Sequence, residues 1–211
     1  ELVAAYVSAG SAIGITFAGD LITLFIFWET LALSATVVVL SVGGQRVRQA
    51  SMRYLIVHFF GGSLLMAGIF IHVAATASTA FGAMRPDSLG TALILAAVLV
   101  NAAAVPLSAW LPDAYPEASY TGTVFLSAFT TKTAVYVLLR GFPGTEILIV
   151  VGVCMMFYGI IYALLENDMR RILAYSIVNQ VGFMVTGIGI GTEMALNGAA
   201  AHAFTHIIYK A

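Results

Sequence analysis

The segment from Leu21 to Val42 reads LITLFIFWETLALSATVVVLSV, and it decides the fold class. Glu29 is its only ionisable side chain. A bilayer core about 30 Å thick is crossed by roughly 20 apolar residues in a helix, so this one segment suffices for a span. It lacks the in-out alternation of a membrane-barrel strand, and an uninterrupted apolar run can satisfy its backbone only as a helix. Working outward, similar windows fall at about Leu2 to Ala18, Tyr54 to Ala75, Leu89 to Trp110, Tyr120 to Leu139, Ile147 to Leu165, Ile172 to Ile190 and Ala195 to Ala211. The expected fold is therefore an all-α integral membrane protein of about eight transmembrane helices, with no soluble domain or low-complexity linker between them.

Composition agrees. Of 211 residues, 61% are hydrophobic and 9% charged, whereas soluble domains carry about 25% charged residues. A formal net charge of -1 without a dense basic run excludes nucleic acid as a partner. Cys154 stands alone inside an apolar window, which leaves no disulfide and no thiolate redox or metal centre to be expected. The chain opens on Glu1 and its last apolar window runs to Ala211, so it is expected to be a piece of a longer protein, and no signal peptide can be read from it.

Arginine placement sets the expected sidedness, because Lys and Arg are in excess on the cytoplasmic side. Arg46, Arg48 and Arg53 lie between the second and third windows and Arg170 and Arg171 between the sixth and seventh, against Arg85 and Arg140 on the other side. The second-to-third, fourth-to-fifth and sixth-to-seventh loops are thus expected in the cytoplasm. Gly61, Gly62, Gly68 and the Gly182, Gly187, Gly189, Gly191 series read as close-packing points between helices rather than phosphate loops.

Ionisable residues within membrane helices cost at least about 2.5–3.5 kcal/mol each and mark function by default. Glu29 lies nine residues beyond Asp20, about 13 Å into its helix at 1.5 Å per residue. Lys132 stands near the middle of the fifth window between Thr130, Thr131 and Thr133, whose hydroxyls can solvate an ammonium. His202, His206 and Lys210 recur at i, i+4 and i+8 and share one helical face. Against these stand blander readings: a Glu29–Lys132 structural ion pair, and interhelical hydrogen bonding for the His202 face. His58 and His72 are expected near opposite membrane interfaces, where a structural role outweighs a functional one. Their fourteen-residue separation would suit two stacked haems only with a second helix of matching histidines, and His202 and His206 are four apart. No three or four convergent ligands mark a metal site. The proton affinity of a buried lysine depends on how near a carboxylate charge stands. A buried Glu and Lys whose separation or charge changes can therefore take a proton from one side and release it to the other, with water carrying it between Glu29, Lys132 and the His202 face.

Four ordered motifs carry a family resemblance. They are Phe27-Trp28-Glu29; Trp110-Leu111-Pro112-Asp113-Ala114-Tyr115-Pro116-Glu117-Ala118 leading to Thr131-Lys132; Asp168-Met169-Arg170-Arg171-Ile172-Leu173-Ala174-Tyr175-Ser176; and His202 through Lys210-Ala211. Together they resemble the proton-antiporter module shared by Mrp-type cation/proton antiporter subunits and the antiporter-like membrane subunits of respiratory complex I, closest to the D-type member of the Mrp set. The resemblance implies a fragment of an inverted-repeat fold, with a first five-helix repeat over about 1–140 and part of a second over about 141–211. It also implies a broken helix at Leu89 to Trp110 with Pro106 as the interrupting residue. Glu29 matches the essential glutamate, Lys132 the central lysine, and His206 with Lys210 the link to the second half-channel. Two positions depart from the pattern: Asn101 replaces a lysine that pairs with the glutamate, and Ser108 replaces a histidine. Asn101 cannot titrate, so Lys132 must take over, or the half-module is uncoupled.

The expected function is proton translocation in a multisubunit monovalent cation (Na+)/H+ antiporter, with protons and sodium as cargo and other membrane subunits and the lipid bilayer as partners, in the bacterial inner membrane. No cofactor and no metal are expected. The chain is not expected to be an enzyme by itself. The alternative is an antiporter-like subunit of NADH:quinone oxidoreductase or a related membrane hydrogenase, where it would serve a redox-driven pump. A non-transporting scaffold, suggested by Asn101, is the third reading.

Overall fold

Nine α-helices account for nearly all of the architecture in the computed structural model, which describes residues 1–210. They are α1 (Leu2–Phe17), α2 (Leu21–Leu40), α3 (Gln45–Thr76), α4 (Leu89–Asn101), α5 (Trp110–Ala114), α6 (Tyr120–Gly141), α7 (Ile147–Leu165), α8 (Met169–Ile190) and α9 (Glu193–Lys210). Five of them, α2, α3, α6, α7 and α8, are long and apolar enough to cross a membrane, and α1 and α4 are shorter apolar helices. The molecule is an all-helical membrane protein.

Polar caps start the helices. Asp20 accepts from the backbone amides of Ile22 and Thr23, Ser119 from Gly122, and Asp168 from Arg170 and Arg171. Ser88 and Thr91 close a reciprocal capping box on α4. Each cap satisfies amides that the first helical turn would otherwise leave unpaired. Between α2 and α3 the chain turns through Gly43 and Gly44, both at positive φ (78° and 104°), a region that costs glycine nothing.

The windows read from hydropathy need two corrections. Helix α3 starts at Gln45, not Tyr54. Arg46, Arg48, Gln49 and Arg53 end the apolar run, yet none of them interrupts the backbone ladder, so the helix continues past the hydrophobic segment. The broken helix is real, but its break lies upstream of Pro106. Helix α4 stops at Asn101, Ala103 takes a left-handed φ of 59°, and a 3-10 turn at Leu107–Ala109 leads into the short α5. Proline at 106 merely prevents the ladder from re-forming at once.

Glycines set the tightest helix pairs. A Cβ on Gly182 of α8 would stand 2.7 Å from the Gly152 carbonyl of α7, and one on Gly159 would stand 2.5 Å from the Asn179 amide. A Cβ on Gly68 of α3 would meet the Gly90 carbonyl at 2.7 Å. These are the close-packing points expected of small residues between membrane helices. The other face of α7, with Phe157, Ile161 and Leu164, is exposed, as suits contact with lipid or with further helices.

Three of the segments between the apolar windows meet at one end of the bundle. Arg53 Nε donates to Asp113 Oδ2 at 3.0 Å, Arg171 lies 3.6 Å from Asp113 Oδ1, and Arg171 Nη1 reaches Glu166 Oε2 at 3.4 Å. The three loops expected on one side of the membrane are thus brought together. Two of the arginines used as topology markers also anchor the chain. Arg170 donates to the Ala118 carbonyl (2.6 Å) and to Thr123 Oγ1 (2.8 Å), and Arg140 to the carbonyls of Ala18 (2.6 Å) and Phe81 (3.1 Å).

Candidate functional site

Two groups of ionisable side chains lie inside the bundle. The first is built on α2, α3 and the end of α4. Glu29 of α2 is half-buried, and its carboxylate fills the place where a side chain on Gly62 would begin, with Cδ only 2.7 Å from that Cβ position. The Asn101 amide oxygen stands 3.4 Å from the corresponding position on the neighbouring Gly61. Glu29 Oε1 and Asn101 Oδ1 are both sealed from the surface without a hydrogen-bond partner. A buried polar atom left unpaired costs about 1–3 kcal/mol, and the absence of a Cβ on Gly62 is what makes room for the carboxylate.

His58 belongs to the same face of α3. It is 1% exposed, stacked on Tyr54 at 3.9 Å between ring centroids and met edge-on by Trp110 of α5 at 4.5 Å. Its surroundings are an interior aromatic cluster rather than the headgroup environment expected for it. Nδ1 lies 2.9 Å from the Tyr54 carbonyl. A carbonyl can only accept, so in the neutral ring Nδ1 carries the hydrogen and Nε2 presents the lone pair. That Nε2 has no partner. Ser108, also fully buried, has an unpartnered hydroxyl.

The second group joins α6, α8 and α9. Lys132 is 6% exposed, and its ammonium finds Thr131 Oγ1 at 3.2 Å. Among the described residues no carboxylate comes within 4.0 Å of it, so the structural Glu29–Lys132 ion pair is not formed. Thr133 does not solvate the lysine, because its hydroxyl bonds back to the Thr130 carbonyl at 2.8 Å. Lys132 instead lines a cavity of about 460 Å³ between α1, α6 and α9, with Thr16, Tyr136, Ala203 and Phe204 among its walls.

On α9 the histidine and lysine row faces α8. His202 Nε2 lies 2.8 Å from Gln180 Oε1, and Lys210 Nζ donates to Ser176 Oγ at 2.9 Å. His206 between them is fully buried with both ring nitrogens unpartnered, its centroid 6.2 Å from that of His202. Lys210 also borders a second cavity, of about 380 Å³, that reaches Arg170 and Tyr120. The interhelical hydrogen bonding weighed for this row is therefore present at its two ends and absent in its middle. Asn179 and Gln180 were missed by the sequence reading, and Ser176 entered it only as the end of a motif. Their signal was a polar stripe in an otherwise apolar α8: Gln180 Nε2 donates to Asn179 Oδ1 (3.1 Å), and Asn179 Nδ2 to the Met156 carbonyl (2.8 Å).

Helices packed on glycine, one of them broken, with ionisable groups sunk between them, define a polytopic membrane protein. The family model described as NADH:quinone oxidoreductase/Mrp antiporter, TM, matches residues 18–211. The chain belongs to that family. Among its relatives, the D-type subunit of the Na(+)/H(+) antiporter of Alkalihalophilus pseudofirmus is 30% identical across 94% of this chain and 44% of its own length. The M-type subunit of the NADH-quinone oxidoreductase of Escherichia coli is likewise 30% identical, across 93% of this chain and 44% of its own. The Mrp complex from Dietzia sp. DQ12-45-1b superposes with a TM-score of 0.88 at 25% identity, covering 97% of this chain and 42% of that one. An archaeal respiratory membrane complex, the membrane-bound sulfane sulfur reductase, gives 0.86 at 28% identity, covering 98% and 38%. The chain thus spans less than half the length of these relatives.

Proposed function

We propose that this chain forms part of a proton-translocating subunit of a multisubunit Na+/H+ antiporter, with Glu29, Lys132, His202, His206 and Lys210 as its proton-transfer sites. Lys132 carries the reading. An ammonium withdrawn from water costs several kcal/mol unless paired, and this one has a threonine hydroxyl and a cavity wall for company rather than a carboxylate. A lysine so placed contributes little to packing or pairing, while taking up and releasing a proton is chemistry it can perform. The first repeat, about 1–140, would hold Glu29 and Lys132, and the partial second repeat, about 141–211, the His202 row. Further membrane subunits complete the complex, in the bacterial inner membrane.

In the complete complex, Lys132→Ala abolishes proton-coupled cation exchange in everted vesicles while subunit assembly is unchanged. Exchange at the parent rate removes Lys132 from the mechanism.

A second reading, a redox-driven pump subunit, is favoured by the kinship to the Escherichia coli NADH-quinone oxidoreductase. Copurification from native membranes separates the two: companion Mrp-type subunits support exchange, and quinone- and iron-sulfur-binding partners support redox drive. Asn101, buried and unable to titrate, favours a third, non-transporting reading. Exchange that is absent from the parent and created by Asn101→Lys would establish it.

A further inference from the structure

Beyond these sites, α3 carries a buried base to which no role has been given. Tyr54, His58 and Gly62 recur every four residues and share one helical face. At the inner position the face meets the Glu29 carboxylate, and just outside the outer one Arg53 pairs with Asp113 at 3.0 Å in a half-exposed polar patch. Helix α5 follows the same course: Trp110 touches His58, and Asp113, one turn later, touches Arg53. His58 therefore stands between the aqueous end of the bundle and Glu29, at a spacing of about 6 Å along the helix from its neighbours on either side.

We infer that His58 is a proton-relay residue connecting Glu29 to the polar face closed by Arg53 and Asp113. The inference rests on the proton-transfer reading of Glu29. Its geometry is specific: Nδ1 is committed to the Tyr54 carbonyl, which fixes the tautomer and leaves the buried, unpartnered Nε2 as the acceptor. Tyr54 Oη, Asn101 Oδ1 and Glu29 Oε1 are likewise buried and unpartnered. A proton arriving through water from the Asp113 side adds to Nε2 and makes an imidazolium. Its departure through water to the Glu29 carboxylate gives a neutral carboxylic acid and restores the neutral ring. Asn101, whose amide oxygen is unpartnered, neither gains nor loses a proton.

The test uses the complete complex in everted vesicles, with exchange rate followed as a function of pH. His58→Phe keeps the aromatic stack against Tyr54 and Trp110, and His58→Gln keeps hydrogen bonding; neither can relay. Both are expected to assemble and to lower exchange at least tenfold, and in both an ionisation present in the parent pH profile disappears. A lowered rate with an unchanged profile means lost packing and overturns the relay. Parent-like exchange in both variants, with Glu29→Gln inactive, overturns the relay and leaves the transport reading standing. If Glu29→Gln also exchanges like the parent, the transport reading fails at Glu29 and the relay falls with it.

Discussion

The carboxylate of Glu29 on α2 occupies the volume that a side chain on Gly62 of α3 would need. The contact joins an ionisable group to a residue whose only contribution is the absence of atoms. It gives the Gly61-Gly62 pair, read from sequence as a packing point, a second task.

Gly62→Ala therefore tests position rather than fold. The displaced atoms are the far end of a flexible side chain, so the helices need not separate, and thermal stability in detergent should stay within about 1 kcal/mol of the parent. Exchange should fall at least tenfold, because a misplacement of about 1 Å in a reacting group is enough to cost 10²-fold. Unaltered exchange would mean that the carboxylate position is unimportant.

Gly182→Ala should do the reverse. Its Cβ would strike backbone, the Gly152 carbonyl at 2.7 Å and the Met156 amide at 2.9 Å, and overpacking of this kind costs about 1–3 kcal/mol. Thermal unfolding in detergent should shift downward by several degrees. Gly198→Ala on α9, with open space around it, is the control and should be neutral or slightly stabilising.

Asp20 offers a pH-dependent test outside the membrane spans. The Thr23 hydroxyl, then the backbone amides of Thr23 and Ile22, hold its carboxyl below its ordinary value of 3.8. A folded-state value below the unfolded one means the cap stabilises above about pH 4 and that this contribution is lost as pH falls through the lower folded value. Asp20→Ala should cost about 0.5–2 kcal/mol at neutral pH. The difference between parent and variant should shrink in acid, and a constant difference across the titration would refute the cap as its source.

Much of this was legible along the chain. The apolar windows located the helices because hydrocarbon tolerates no unpaired backbone. The period-four row on α9 placed His202, His206 and Lys210 on one face, as found. The boundaries of α3 and α4 were less legible. Hydropathy reports where the membrane ends, whereas Arg46 and Arg48 remain helical beyond it, and the α4 ladder breaks at Asn101 before any proline is reached.

Sequence alone determined that the chain crosses a membrane as helices with Glu29, Lys132 and the His202 row sunk among them, because burial costs for charge and backbone are so large that composition decides the matter. Only the tertiary structure decided which groups meet. It set Glu29 on Gly62 rather than on Lys132, gave Lys132 a threonine and a cavity, tied His202 to Gln180, and enclosed His58 between Tyr54 and Trp110. Those pairings depend on helix rotation and crossing, which residues far apart in sequence set jointly through shape, and no local pattern encodes them.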